Sequence, residues 1–146
     1  MTFERESNDA PVYVAVAVAA PVSEVWRALT EERARWWPDL VFDAVVAAPV
    51  TETWRDNGRH RVASGSVIEV VAPRALAFIW SEPGWTASLT VRFTVGGTGG
   101  TDGRTTTTVT VTETGFHHLA DGAALREEHA DGWRTHLASL RTAVDG

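Results

Sequence analysis

Glu52, Trp54, Arg61 and Glu69 are the residues of this chain whose types and spacing best suit chemistry. Asp56, Asn57 and Gly58 lie among them and form the strongest hairpin signal, because asparagine and glycine accept the positive φ of a type I′ turn. Across that turn Trp54 should face Arg61, and Glu52 should face Ala63. Two carboxylates, a guanidinium and a ring would then share one face of a sheet. Arg61 can grip a ligand carboxylate or stack on its ring, while Glu52 or Glu69 can accept a hydroxyl or, with a raised pKa, move a proton. The plainer account is a cross-strand cation–π contact and ion pair at the mouth of the sheet.

Other chemistries have less support. All thirteen basic residues are arginine, which excludes Schiff-base catalysis and the phosphate-gripping lysine of a P-loop. The absence of cysteine excludes a thiolate nucleophile and a disulfide framework. His129 and His136 stand seven residues apart on one helix, too far to share an ion through one turn, and no HExxH pattern occurs. His117 and His118 fall in a loop. No GxSxG elbow accompanies the histidines and acids, so a triad is not expected either. The GGTGG stretch at 96–100 joins two strands without a lysine and reads as an exposed hairpin loop, not a phosphate cradle. No metal and no cofactor is expected.

The elements that must position these side chains follow from apolar periodicity. At 146 residues the chain suits one domain, expected over 10–146 after a flexible, charged 1–9. Residues 12–19, VYVAVAVA, read as a strand buried on both faces or nearly so. Pro21 opens a short helix whose stripe is Val22, Val25, Trp26 and Leu29, and a further turn or two at 31–37 stops at Pro38. Strands are expected over 41–47, 50–55, 60–71, 75–80 and 86–95, followed by a threonine-rich strand ending near Glu113. Trp133, Leu137, Leu140 and Val144 recur at helical spacing and mark one long helix over 123–144. Gly132 is unfavourable inside a helix by about 1 kcal/mol, which suggests a close backbone approach there.

Even-numbered turns would set Glu69 opposite Phe78, Val67 opposite Trp80, and Trp80 opposite Trp85. The inner face would then carry Glu52, Trp54, Arg61, Glu69, Phe78, Trp80 and Leu89. Ile68, Val70 and Ile79 would be sent outward as an apolar patch.

The series PVSEVWRALT at 21–30, WWPD at 36–39, GSVIEVVAPRALAFIW at 65–80, TVTVTETGF at 108–116 and GWRTHLASL at 132–140 resembles the START-like or SRPBCC superfamily. Within it, the series is most similar to the group named after the activator of the heat-shock protein 90 ATPase. The order of the pieces is more specific than any one of them, and together they span 12–144. One departure is APVTETW with a lone Gly58, where the group often has a glycine pair. The resemblance implies an α+β helix-grip fold: a curved antiparallel sheet around a long C-terminal helix, one or two short helices after the first strand, and a cavity between. Functions in the superfamily include lipid and hormone carriage, polyketide cyclisation and sequestration of toxic molecules, and the group itself is named for a co-chaperone.

The leading expectation is therefore binding of a small apolar or aromatic molecule between sheet and helix. The site residues would be Trp37, Glu52, Trp54, Arg61, Glu69, Phe78, Trp80, Leu89, Trp133 and Leu137. A cyclase- or hydrolase-like enzyme using Glu52 or Glu69 with Arg61 is the alternative, less favoured, and a module binding a chaperone or a second copy of itself is the third. The net charge of −6 disfavours nucleic acid. No apolar run approaches a membrane span, and a cytoplasmic location is expected.

Overall fold

The computed structural model describes residues 10–99 and 105–145. Seven strands form one antiparallel sheet: β1 (Val12–Val18), β2 (Leu40–Val41), β3 (Pro49–Asp56), β4 (Arg59–Val71), β5 (Ala75–Ser81), β6 (Leu89–Gly99) and β7 (Thr105–Thr114). Their order across the sheet is β1-β7-β6-β5-β4-β3-β2. A short helix, α1 (Val22–Thr30), follows β1, and the long α2 (Gly122–Asp145) ends the fold. This is the helix-grip arrangement. Residues 1–9 and the tip of the glycine-rich loop lie outside the described residues.

The hydrophobic pattern explains why sheet and helix close on each other. Val109 and Val111 alternate inward on β7, Leu76, Phe78 and Trp80 on β5, and Leu89, Val91, Phe93 and Val95 on β6; all are buried. On α2 the buried residues are Trp133, Leu137 and Leu140, one stripe laid along that face. Burying each contributes on the order of 1.5–3 kcal/mol. The end of α2 is tied down by Asp145, which accepts from the Ala19 amide at 2.8 Å, and by Arg35, which donates to the Ala143 carbonyl at 2.7 Å.

The register departs from the even-turn expectation at two turns, and the strand bounds depart from expectation at 41–47 and 96–99. The β4–β5 turn holds three residues between Val71 and Ala75, and a bulge lies between Val67 and Glu69. Glu69 therefore pairs with Ala77 rather than Phe78, and Val67 with Phe78 rather than Trp80. This extra residue turns Glu69 to the outer face, where it pairs with Arg92, and brings Val70 opposite buried Leu76, so Val70 packs on the core instead of facing out. At the next turn Trp80 pairs with Leu89, not Trp85, and Phe78 with Val91. That slip is four residues, an even number, so the face of β6 is unchanged.

The third departure is at 41–47. Only Leu40 and Val41 pair as strand, with Glu52 and Thr51. Beyond Val41 the chain turns on itself, the Val45 amide bonding the Asp43 carbonyl and the Ala48 amide the Val45 carbonyl, with Ala47 at a φ of 75°. The segment before it is held by Arg33, buried in a 3₁₀ turn at Arg33–Arg35. Its Nε donates to the Leu40 carbonyl at 2.7 Å and its Nη2 to the Phe42 carbonyl at 2.6 Å, taking acceptors a strand ladder would use. The guanidinium also lies 3.7 Å from the Phe42 ring centroid. Gly96–Gly99, expected in a loop, instead extend β6 and pair with β7.

Candidate functional site

One inward position of β7 breaks the apolar series. After Val109 and Val111 comes Glu113, on the same face and fully buried. A carboxylate removed from water must be matched by donors, and three are supplied. Trp80 Nε1 donates to Oε2 at 2.8 Å, Trp133 Nε1 donates to Oε1 at 2.8 Å, and His129 Nδ1 lies 2.9 Å from Oε1. Burial works against a charge on His129. The hydrogen bond and attraction of Glu113, with smaller help from Glu82 and Glu52, outweigh it and raise the His129 pKa above the usual imidazole value.

Beside this network a cavity of about 560 Å³ opens between the sheet and α2. At its deep end Trp133 stacks on Trp80 with centroids 6.0 Å apart, and Trp37 meets Trp133 edge-on at 5.3 Å. Trp37 is delivered by the turn that Arg33 holds, and it lies flat on His136, centroids 3.6 Å apart and planes 13° from parallel. Burial pushes His136 down to about 4, against the attraction of Asp39.

Glu52 stands on the wall, placed there by β3. Burial pushes its carboxyl up to about 7; the Trp37 indole, which donates to it at 3.1 Å, and His129 pull the other way, while Asp39 and Glu113 add to the rise. At the rim Arg61 binds Glu82 at 2.5 Å and Asp56 at 3.2 Å, with its guanidinium 5.9 Å from the Trp54 centroid. Its side chain is 43% exposed, so it closes the mouth instead of reaching inside.

Of the ten residues singled out from sequence, Trp37, Glu52, Trp54, Arg61, Trp80 and Trp133 line this cavity. The others lie elsewhere. Glu69 is on the opposite face; Phe78 and Leu89 are fully buried, Phe78 edge-on behind Trp80. Leu137 is buried one turn beyond Trp133, beside a second, smaller groove against β1. Trp85, expected opposite Trp80, instead stands near His129 at 6.4 Å and joins the lining.

Sequence reasoning missed Asp39, Glu82, Glu113, Glu128, His129 and His136. The signal for Glu113 was available: it continues the inward alternation of TVTVTE. His129 stands one helical turn before Trp133 and His136 one turn after it, which puts both on the cavity side. Gly132 also borders the cavity, and a Cβ there would meet nothing within 4 Å, so no close backbone approach explains it.

Residues 19–145 match the family described as activator of Hsp90 ATPase homolog 1-like protein. The chain belongs to that family. Among solved structures, DynU16, a protein of the dynemicin biosynthetic locus, is 29% identical with a TM-score of 0.69. The match covers 92% of this chain and 46% of DynU16, so the chain spans about half the length of that relative. Protein MLL2253 from Mesorhizobium loti is 22% identical with a TM-score of 0.71, covering 93% of this chain and 97% of its own. The Aha1 dimer from Colwellia psychrerythraea is 16% identical with a TM-score of 0.63, covering 93% and 96%. The last two share the family fold. No curated protein matches the chain in sequence. Among the described residues no helix is long and apolar enough to cross a membrane.

Proposed function

We propose that the protein binds a small apolar or aromatic molecule in the cavity between the sheet and α2. The observation that carries this reading is a 560 Å³ space walled by five of the seven tryptophans, with a few polar groups converging on it. Filling such a space with side chains would stabilise the fold, and leaving it open costs packing. A ligand supplies the missing contacts. The family's fold commonly holds hydrophobic ligands, and the place of DynU16 in a biosynthetic locus agrees with small-molecule work. The enzymatic alternative loses two of its three groups: Glu69 faces away, and Arg61 is taken up by Glu82 and Asp56.

The test uses N-phenyl-1-naphthylamine, an uncharged dye that brightens in apolar surroundings. Saturable binding that protects the protein against thermal unfolding supports the proposal. A dye signal that never saturates, with no change in melting temperature, overturns it.

Self-association is a second reading with its own observation. The Ala47 amide donates to the Val67 carbonyl and draws the 43–48 segment beside the β4 bulge, where Val45, Val46 and Ile68 are all exposed. The Colwellia Aha1 structure named above is of a dimer. Sedimentation equilibrium showing a monomer at high micromolar concentration removes this reading.

A further inference from the structure

The lining of the cavity also specifies the charge of its ligand, given the small-molecule reading above. Five carboxylates stand on it, Asp39, Glu52, Asp56, Glu82 and Glu128, against one guanidinium, Arg61. Arg61 is already matched by Glu82 and Asp56. His129 is matched by Glu113, and His136, with its pKa near 4, carries no charge at neutral pH. Asp39, Glu52 and Glu128 have no ion-pair partner among the described residues, and Glu52 has only the Trp37 indole as a donor. A carboxylate or phosphate on the ligand would add negative charge where no cation is free to receive it.

The aromatic walls favour the opposite sign. The face of an indole carries the negative lobe of its quadrupole and attracts a cation within about 6 Å. Aromatic walls beside unpaired carboxylates are the recurrent way of holding an amine that cannot be stripped of its charge.

We propose that the cavity takes a cation: an amine or quaternary ammonium group carried on an apolar or aromatic body. The body displaces water from the space between Trp80, Trp133 and Trp37, and the charged group faces Glu52 and Asp39. Glu52 is surrounded by Trp37 and Asp39 from the segment before β2, Glu113 from β7 and His129 from α2. A cation arriving among these groups draws Glu52 into its ionised form, so binding near pH 7 releases a proton.

The experiment compares benzyltrimethylammonium, its uncharged carbon isostere neopentylbenzene, and benzenesulfonate, by titration of tryptophan fluorescence at pH 8. The cation should bind at least tenfold tighter than the isostere, and the sulfonate should not bind. Glu52→Gln should weaken the cation fivefold or more and leave the isostere unchanged. If that variant does not fold, Asp39→Asn gives the same comparison. Calorimetry at pH 7 in two buffers of different ionisation heat should register the released proton. Equal or tighter binding of the isostere or the sulfonate overturns the charge assignment and leaves the binding reading in place. Failure of all three together with the uncharged naphthylamine dye removes both.

Discussion

The indole of Trp37 joins two groups whose pKa values burial drives in opposite directions: its Nε1 donates to Glu52 at 3.1 Å, and its face covers His136 at 3.6 Å. Glu52 rises to about 7 and His136 falls to about 4, so both are neutral around pH 5 to 6.

The pH dependence of stability follows with opposite signs. Folded Glu52 holds its proton more tightly than the unfolded chain does, so its contribution declines as pH rises from about 4.5 to about 7. Folded His136 holds its proton less tightly, so its contribution is lost as pH falls from about 6.5 to about 4. Each shift corresponds to roughly 3 kcal/mol. Relative to wild type, Glu52→Gln should gain stability progressively from pH 4.5 to 7, and His136→Phe should gain as pH falls from 6.5 to 4. Urea denaturation across pH 4 to 8 measures both; parallel curves for variant and wild type would contradict the assignment.

Glu113→Gln keeps the shape of the buried side chain but replaces one acceptor oxygen by a donor amide. Trp80 or Trp133 then loses its acceptor, and the charge that raises the His129 pKa is gone. A loss of roughly 3 kcal/mol is expected, from the charged hydrogen bonds forfeited and the donor left unmatched. The imidazole pKa of His129, followed by NMR, should fall in the same variant. A retained high value would show that Glu113 is not its cause.

Arg33 fixes the turn that carries Trp37, through donors to the carbonyls of Leu40 and Phe42 and longer ones, at 3.3 Å, to Leu29 and Thr30. A lysine cannot reproduce that planar fork. Arg33→Lys should cost on the order of 2 kcal/mol and loosen the segment from 36 to 42. Hydrogen exchange of the Trp36 and Trp37 amides, which bond to the Arg33 carbonyl at 3.1 and 2.7 Å, reports this directly.

Much of the architecture was legible in the sequence because it depends on periodicity. The stripe of Trp133, Leu137 and Leu140 appears in the spacing alone, and the Asn57–Gly58 turn fixes Trp54 against Arg61 and Glu52 against Ala63 as observed. Parity was not legible. A three-residue turn at Ala72–Arg74 and one bulged residue near Ile68 are invisible to a pattern of apolar and polar residues, yet together they decide where Glu69 points. Nor does spacing show that an arginine in the 30s will bond carbonyls in the 40s. Glu113 stands at the last inward position of its strand, next to the strand end, where a carboxylate is ordinarily solvated. Its donors come from Trp80, His129 and Trp133, on two other elements, and only the closed fold brings them together.

Gly132 separates stability from function. It lies mid-helix, where alanine is favoured by about 0.5–1 kcal/mol, and its side-chain position opens on empty space. Gly132→Ala should therefore raise the melting temperature by a few degrees. Gly132→Phe should fold but fill the space, and it should abolish dye binding. Undiminished binding in the phenylalanine variant would place the ligand elsewhere.

The most direct test of the binding site uses the seven indole N–H signals as position markers. Five belong to tryptophans lining the cavity, and those of Trp26 and Trp36 do not, Trp36 donating instead to the Ala28 carbonyl at 2.8 Å. In a two-dimensional nitrogen–proton spectrum, addition of N-phenyl-1-naphthylamine should shift the signals of Trp37, Trp54, Trp80, Trp85 and Trp133 and leave Trp26 and Trp36 in place. Shifts confined to Trp26 and Trp36, or no shift at saturating dye, would contradict it.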